Sequence, residues 1–311
     1  MLIWELIGTL MGAGFASGRE IASFFARYGL WGYGGAILAA AMLGWLVNTD
    51  MPEGWRGRWP TFIWQALTAA LFVSTGGAML SGAGEVAALV LPVRGVYWLG
   101  MALTLTISWM LAFRTVAGLA WTSKVMLTVF VCVMIVGFLL PEGDGAILYS
   151  AQPSAALARG ICYGGFNAAL LLPVAGHHVL DTRKKRCSVH IVSLITLGLL
   201  VAGIAVLQRH PQVVYESMPF VILLKRWGKW GYYLSACCLY SAVLSTLTAC
   251  IRSLGQKPWS AFGIVLVALL GFNRVVDHVY TVLGGACMFM ILMAKFTNCS
   301  RKAFISRKDM L

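Results

Sequence analysis

The chain has 311 residues, of which 59% are hydrophobic and only 11% charged, against about 25% charged in an ordinary soluble domain. That leaves too little polar surface to fold in water around a core of its own, so lipid must be the solvent for most of it. The formal charge of +13 comes with no nucleic-acid-binding motif and fits basic cytoplasmic loops instead.

Apolar runs of spanning length recur in chain order, separated by short polar or Pro/Gly loops. They cover about 2–25, 30–47, 61–91, 96–113, 121–140, 155–180, 189–207, 229–252, 259–272 and 278–296. The start lacks a basic region and its apolar run continues past Gly18, so it does not read as a cleavable signal peptide. The segment "HPQVVYESMPFVILLKRWGK" is too polar at its ends to span and suits an interfacial or re-entrant helix. With the N-terminus cytoplasmic, fifteen of the 24 Lys and Arg residues fall on the inner side, among them Arg183–Arg186 and the tail. That bias predicts two cytoplasmic ends and an even number of spans in the cell's inner membrane.

The first run is interrupted. "GTLMGAGFASGREIASFF" places Gly12, Gly14 and Gly18 in a segment otherwise apolar enough for a bilayer. Ten residues from Leu2 rise about 15 Å, half of a hydrocarbon core about 30 Å thick, so the glycines begin near the midplane. Gly164 and Gly165 lie ten residues into the sixth run, at similar depth. One interruption therefore opens each half of the chain, with four unbroken runs between them. The expectation is an all-α polytopic protein of about ten transmembrane helices, with helices 1 and 6 interrupted at the midplane. Its single domain, 1–311, divides into inverted five-helix repeats over about 1–140 and 155–296 and a basic tail, 297–311.

Within the first interruption, Ser17-Gly18-Arg19-Glu20 fits a capping box. Ser17 would cap a half-helix and Glu20 would reach back to its amide, with Gly12–Ala16 non-helical. Freed amides at a half-helix N-terminus suit a carboxylate, and freed carbonyls suit a cation. The competing reading is plain packing, since Gly8-x-x-x-Gly12 and Gly14-x-x-x-Gly18 are also small-x-x-x-small motifs. A P-loop or Rossmann reading fails on spacing, and no strand precedes the glycines.

"GAGFASGREIASFF" followed by "YGLWG" resembles the first-helix signature of the YkvI-type permeases, in the amino acid–polyamine–organocation superfamily. "YGGFNAALLLPV" at 163–174 and "LYSAVLSTLTA" at 239–249 resemble that family's sixth and eighth helices. The resemblance implies a LeuT-like secondary transporter. It also implies a sodium site between first-helix carbonyls and eighth-helix hydroxyls, here Ser241, Ser245 and Thr246. Ser241 and Ser245 share a helical face. The sequence departs from the family's adjacent hydroxyls, because Ala242 follows Ser241.

Other residues carry alternatives. Glu85 is an acid inside the third run, able to carry a coupling proton or to hydrogen-bond a neighbouring helix. Arg19 can gate an outer vestibule, meet a substrate carboxylate, or pair with Glu20 or Glu85. His177, His178 and Asp181 do not make a metal site, because adjacent helical histidines point about 100° apart. The eight cysteines lie mainly in or beside apolar runs without zinc spacing and read as packing residues. Trp55, Trp59, Trp98, Trp121, Trp227, Trp230 and Trp259 flank the runs as interface anchors.

The reading from sequence is thus a transporter of a small amino acid or related zwitterion or amine. Its candidate substrate site comprises Gly12, Ala13, Gly14, Phe15 and Ser17 with Tyr163, Gly164, Gly165, Phe166 and Asn167. Ser241, Ser245 and Glu85 are the coupling candidates for Na+ or H+, with no other cofactor and no metal. The alternative is a membrane sensor or scaffold that keeps the fold without transporting. No nucleophile–base constellation supports an enzyme.

Overall fold

The computed structural model describes residues 2–48, 58–113, 119–143, 152–177 and 182–308. Every apolar run coincides with helix. In chain order these are α1 (Leu2–Leu10), α2 (Ala13–Ala16), α3 (Arg19–Phe24), α4 (Leu30–Val47), α5 (Arg58–Val90), α6 (Val96–Ala112) and α7 (Leu119–Leu139). Then follow α8 (Pro153–His177), α9 (Thr182–Arg209), α10 (Pro219–Lys225), α11 (Lys229–Ser253), α12 (Pro258–Ala268), α13 (Phe272–Arg274) and α14 (Tyr280–Lys308). A π-helical turn, Val275–Val279, joins α13 to α14.

Six stretches are long and apolar enough to cross a membrane: Leu30–Val47, Pro60–Val90, Pro153–Ala175, Arg183–Arg209, Lys229–Ser253 and Phe272–Phe296. Val96–Ala112, Leu127–Leu139 and Pro258–Ala268 are shorter apolar helices. These helices are apolar all round rather than along one stripe. On α4, Ala36, Ala39, Leu43 and Leu46 are buried while Leu30, Trp31, Ile37 and Trp45 are exposed. A helix that is apolar on both its buried and its exposed face belongs in lipid. Trp98, Trp227, Trp230 and Trp259 are likewise exposed; Trp55 lies outside the described residues. The chain is a polytopic helical membrane protein.

Lipid tails are as apolar as leucine, so helices associate there by close packing and small residues bring backbones together. The sixth helix shows this at the expense of an expectation. The glycine pair predicts a break at Gly164–Gly165, yet α8 runs unbroken from Pro153 to His177. Its glycines are contact points on two sides. A Cβ on Gly164 would stand 3.1 Å from the Ala39 carbonyl oxygen of α4. One on Gly165 would stand 2.5 Å from the Gly284 carbonyl oxygen of α14. The Gly-Gly pair serves the packing of α8 between two neighbours, which keeps the helix intact.

The first helix does break. α1 ends at Leu10, Met11 and Gly12 are non-helical, and α2 makes a single turn before Ser17 and Gly18. The break is therefore tighter than the expected non-helical stretch over Gly12–Ala16. The half-helix begins at Arg19 rather than Ser17, with Gly18 as its N-cap at φ 82°, ψ −3°. That left-handed conformation is natural to glycine and costly for a side chain. A Cβ there would also stand 2.8 Å from the Phe220 ring.

The 209–229 segment folds inward over this break. Val213, Val214, Met218, Phe220, Val221, Leu223 and Leu224 are buried, and the Phe220 amide donates to the Ser17 carbonyl at 3.0 Å.

Candidate functional site

The local geometry replaces the capping box. Ser17 Oγ donates to the Gly14 carbonyl at 3.0 Å and accepts from the Arg19 amide at 3.3 Å. Glu20 does not return to the Ser17 amide. With Gly18 already turning the chain, Glu20 points into the protein, and its carboxyl lies against Gly14, where a Cβ would collide with Oε1. Oε2 accepts from the Tyr163 hydroxyl of α8 at 3.3 Å. Glu20 is only 4% exposed.

Aromatic rings pack around Tyr163. Tyr163 packs on Phe24 at 5.2 Å and Phe25 at 5.1 Å between ring centroids. Phe166 stacks on Tyr280 of α14 at 4.3 Å. The Tyr280 and Thr75 hydroxyls are buried neighbours on α14 and α5.

Arg19, adjacent in sequence, serves a different partner. It is ion-paired with Asp277 of the π-helical turn and donates to the carbonyls of Tyr215 at 3.3 Å and Glu216 at 3.1 Å. Arg27 stands 3.8 Å from Asp277. Arg159 of α8 donates to the Asp277 carbonyl at 2.8 Å and to Thr281 Oγ1 at 2.7 Å. These contacts tie α3, α8, the 209–229 segment and the start of α14 together on one side of the break. Neither Glu20 nor Glu85, the partners expected for Arg19, takes part.

The predicted substrate residues separate into groups. Gly14 and Tyr163 meet at Glu20, with Phe166 beside them through Tyr280. Phe15 packs instead against Phe130, in a tilted pair with ring centroids 5.0 Å apart. Next to it, Ala16, Phe130, Val133, Phe220 and Leu239 line part of a cavity of about 20 Å³, enough for one water molecule. Gly164 and Gly165 serve helix packing, and Asn167 donates to its own helix at the Tyr163 carbonyl, 3.0 Å. Ala13 contributes backbone to α2.

The eighth-helix hydroxyls behave differently from expectation. Ser241 is exposed and bonds back to Cys237 at 3.0 Å; Ser245 bonds back to Ala242 at 3.0 Å. Hydroxyls in membrane helices commonly satisfy themselves this way. The hydroxyl facing the break is Thr246, with Oγ1 3.8 Å from a Cβ built on Gly12. Glu85 is half-buried, with no hydrogen bond or ion pair among the described residues. His178 and Asp181 lie outside the described residues.

Sequence reasoning alone does not single out Glu20, Tyr280, Thr75 or Asp277 as site residues. Glu20 carries a usable signal, being an acid within an apolar first run, but the capping-box pattern absorbs it.

No protein-family profile matches the chain. It is 22% identical, over 91% of both chains, to the uncharacterized membrane protein YkvI of Bacillus subtilis (strain 168). Its structure superposes on the crystal structure of a mutant manganese transporter from Eremococcus coleocola with a TM-score of 0.52. The match covers 100% of this chain and 72% of the other at 14% identity. The chain shares the fold of that transporter.

Proposed function

We propose that the protein is a secondary active transporter of a small amino acid or amine, working by alternating access at the break in its first helix. The observation that carries this is the junction of that break with α8, where the enclosed Glu20 carboxyl, Tyr163 and the Phe166–Tyr280 stack converge. A buried carboxyl beside a cluster of aromatic rings suits a cationic amino group, by charge and by cation–π attraction.

The architecture that goes with it is ten spans in two inverted five-helix repeats with both ends cytoplasmic. Matching pairs of helices support the repeat. α7 packs on α1 as α14 packs on α8, and α6 packs on α11 as α12 packs on α5. Reporter fusions at the two ends read the orientation, and a signal from the outer side at either end contradicts it. In this arrangement the Arg19–Asp277 cluster lies at the outer end, closing the break from outside.

The structural neighbour carries manganese, and the donor set here speaks against that cargo. Hard divalent ions want several carboxylate and carbonyl oxygens at once. Among the described residues no group of three or more His, Cys, Asp or Glu gathers, and the second carboxyl near the break, Asp277, is taken up by Arg19.

The test has two steps. Purified protein is screened against amino acids and simple aliphatic amines for thermal stabilisation, and the stabilising solute is then followed in proteoliposomes by counterflow. We expect accumulation of label against loaded solute. Stabilisation without flux would make the protein a sensor with a transporter's fold.

A further inference from the structure

Glu20 is a carboxyl without a cation among the described residues. Oε2 accepts from the Tyr163 hydroxyl, and Oε1 lies against Gly14, where nothing larger than hydrogen fits on the Cα. The guanidiniums nearby are committed elsewhere. Arg19 meets Asp277 and the Tyr215 and Glu216 carbonyls, Arg27 meets Asp277, and Arg159 meets Thr281 and the Asp277 carbonyl. The other titratable group in its surroundings is Tyr280 of α14. From α9 the helix is met by glycine, since Gly203 packs on Ile21. Charged groups do stand on the elements packed around it, Arg27, Asp277 and Arg159, the last also 5.7 Å from the centroid of the Phe24 ring, but none of them pairs with Glu20.

An ionised carboxylate in such a place costs several kcal/mol unless a positive charge accompanies it. The protein supplies none there, so the charge must arrive from solution, as a proton or as the ammonium of a solute. The site admits one at a time, because the carboxyl is buried against Gly14 and Tyr163. We infer that Glu20 is the coupling site of the transporter: it binds the coupling proton when the break is closed and the cationic amino group of the solute in the proton's place. When the break opens, the O–H bond of Glu20 gives its proton to water on that side, and the carboxylate then pairs with the incoming ammonium. Proton and solute move in opposite directions because they occupy one carboxyl in turn. This rests on the transport reading above, and it assigns the coupling ion to a residue other than Ser241, Ser245 or Glu85.

The experiment begins without any solute. Full-length protein in lipid is titrated with pH while the infrared carbonyl band of protonated carboxylic acids is recorded. We expect a band that disappears on alkalinisation, is lost in Glu20→Gln and survives in Glu85→Gln. Glutamine keeps the shape and the Tyr163 contact, so monodisperse folded protein is expected. If that variant fails to fold, Tyr163→Phe supplies the same test, because removing the hydroxyl that donates to Oε2 must shift the band and its titration midpoint. A band unchanged in Glu20→Gln, lost in Glu85→Gln, or absent from the wild type throughout overturns the assignment. So does an unmoved titration in Tyr163→Phe. The solute arm follows, in weak buffer. A solute that stabilises the protein should release one proton for each molecule bound to wild type and none with Glu20→Gln; binding without proton release overturns the exchange. If no amino acid or amine stabilises the protein, the substrate reading has failed, while the carbonyl band still decides Glu20.

Discussion

Gly14 and Glu20 compete for one small volume, and the absence of a side chain at 14 is what lets the carboxyl sit there. Gly14→Ala must push Glu20 aside, and overpacking of this kind costs about 1–3 kcal/mol. With Glu20→Ala already in place the same methyl no longer meets the carboxyl, its three nearest neighbours being Glu20 atoms, so most of that cost should vanish. A double-mutant cycle by thermal or denaturant unfolding in detergent should give a coupling of roughly 0.5–3 kcal/mol. Equal cost of Gly14→Ala in both backgrounds would contradict the contact. At this scale the sequence is only half legible. Gly18 marks the break, because glycine alone suits its left-handed turn in an apolar run. The direction of Glu20 is not legible, since S-x-x-E predicts a local hydrogen bond and nothing local reveals that Tyr163, 143 residues away, offers a better partner. Ser241 and Ser245 mislead for a related reason. A four-residue spacing fixes a shared face but not which way that face looks, and it looks away from the break.

The same ambiguity governs the helices. A glycine pair in a transmembrane helix is either a break or a close contact, and both readings rest on the missing side chain. In the first helix, Ser17 and Gly18 add a turn; in α8, α4 and α14 press on opposite sides and packing wins. The helix positions themselves are legible throughout, because lipid demands a continuous apolar length and the charges fall in the loops. Packing at Gly165 predicts a steep contrast between two glycines. Gly165→Leu would drive α8 from α14, with Met288 Cβ 2.7 Å and the Gly284 carbonyl oxygen 2.5 Å from even the first added carbon. Loss of monodisperse protein is expected. Gly198 of α9 has nothing within 4 Å, so Gly198→Ala should be neutral or stabilising by up to about 1 kcal/mol. Comparable stability of Gly165→Leu and wild type would reopen the case for a broken sixth helix.

For the whole molecule, the recurring apolar runs are enough to indicate a polytopic membrane protein. The substrate is harder to read, since fold does not carry cargo: a neighbour with the same architecture moves manganese, whereas the carboxyl and aromatic rings here suit an amine. The claim on which everything depends is that the first-helix break is reached from the two sides of the membrane in turn. Thr246 faces Gly12 across that break, so Thr246→Cys, with the native cysteines replaced, reports its accessibility. Membrane-impermeant thiol reagent is applied from each side of oriented vesicles, with and without the stabilising solute. The account predicts modification from both sides, with the solute shifting the ratio between them and Asp277→Asn raising access from the outer side. Modification from one side under every condition, or from neither, would contradict it.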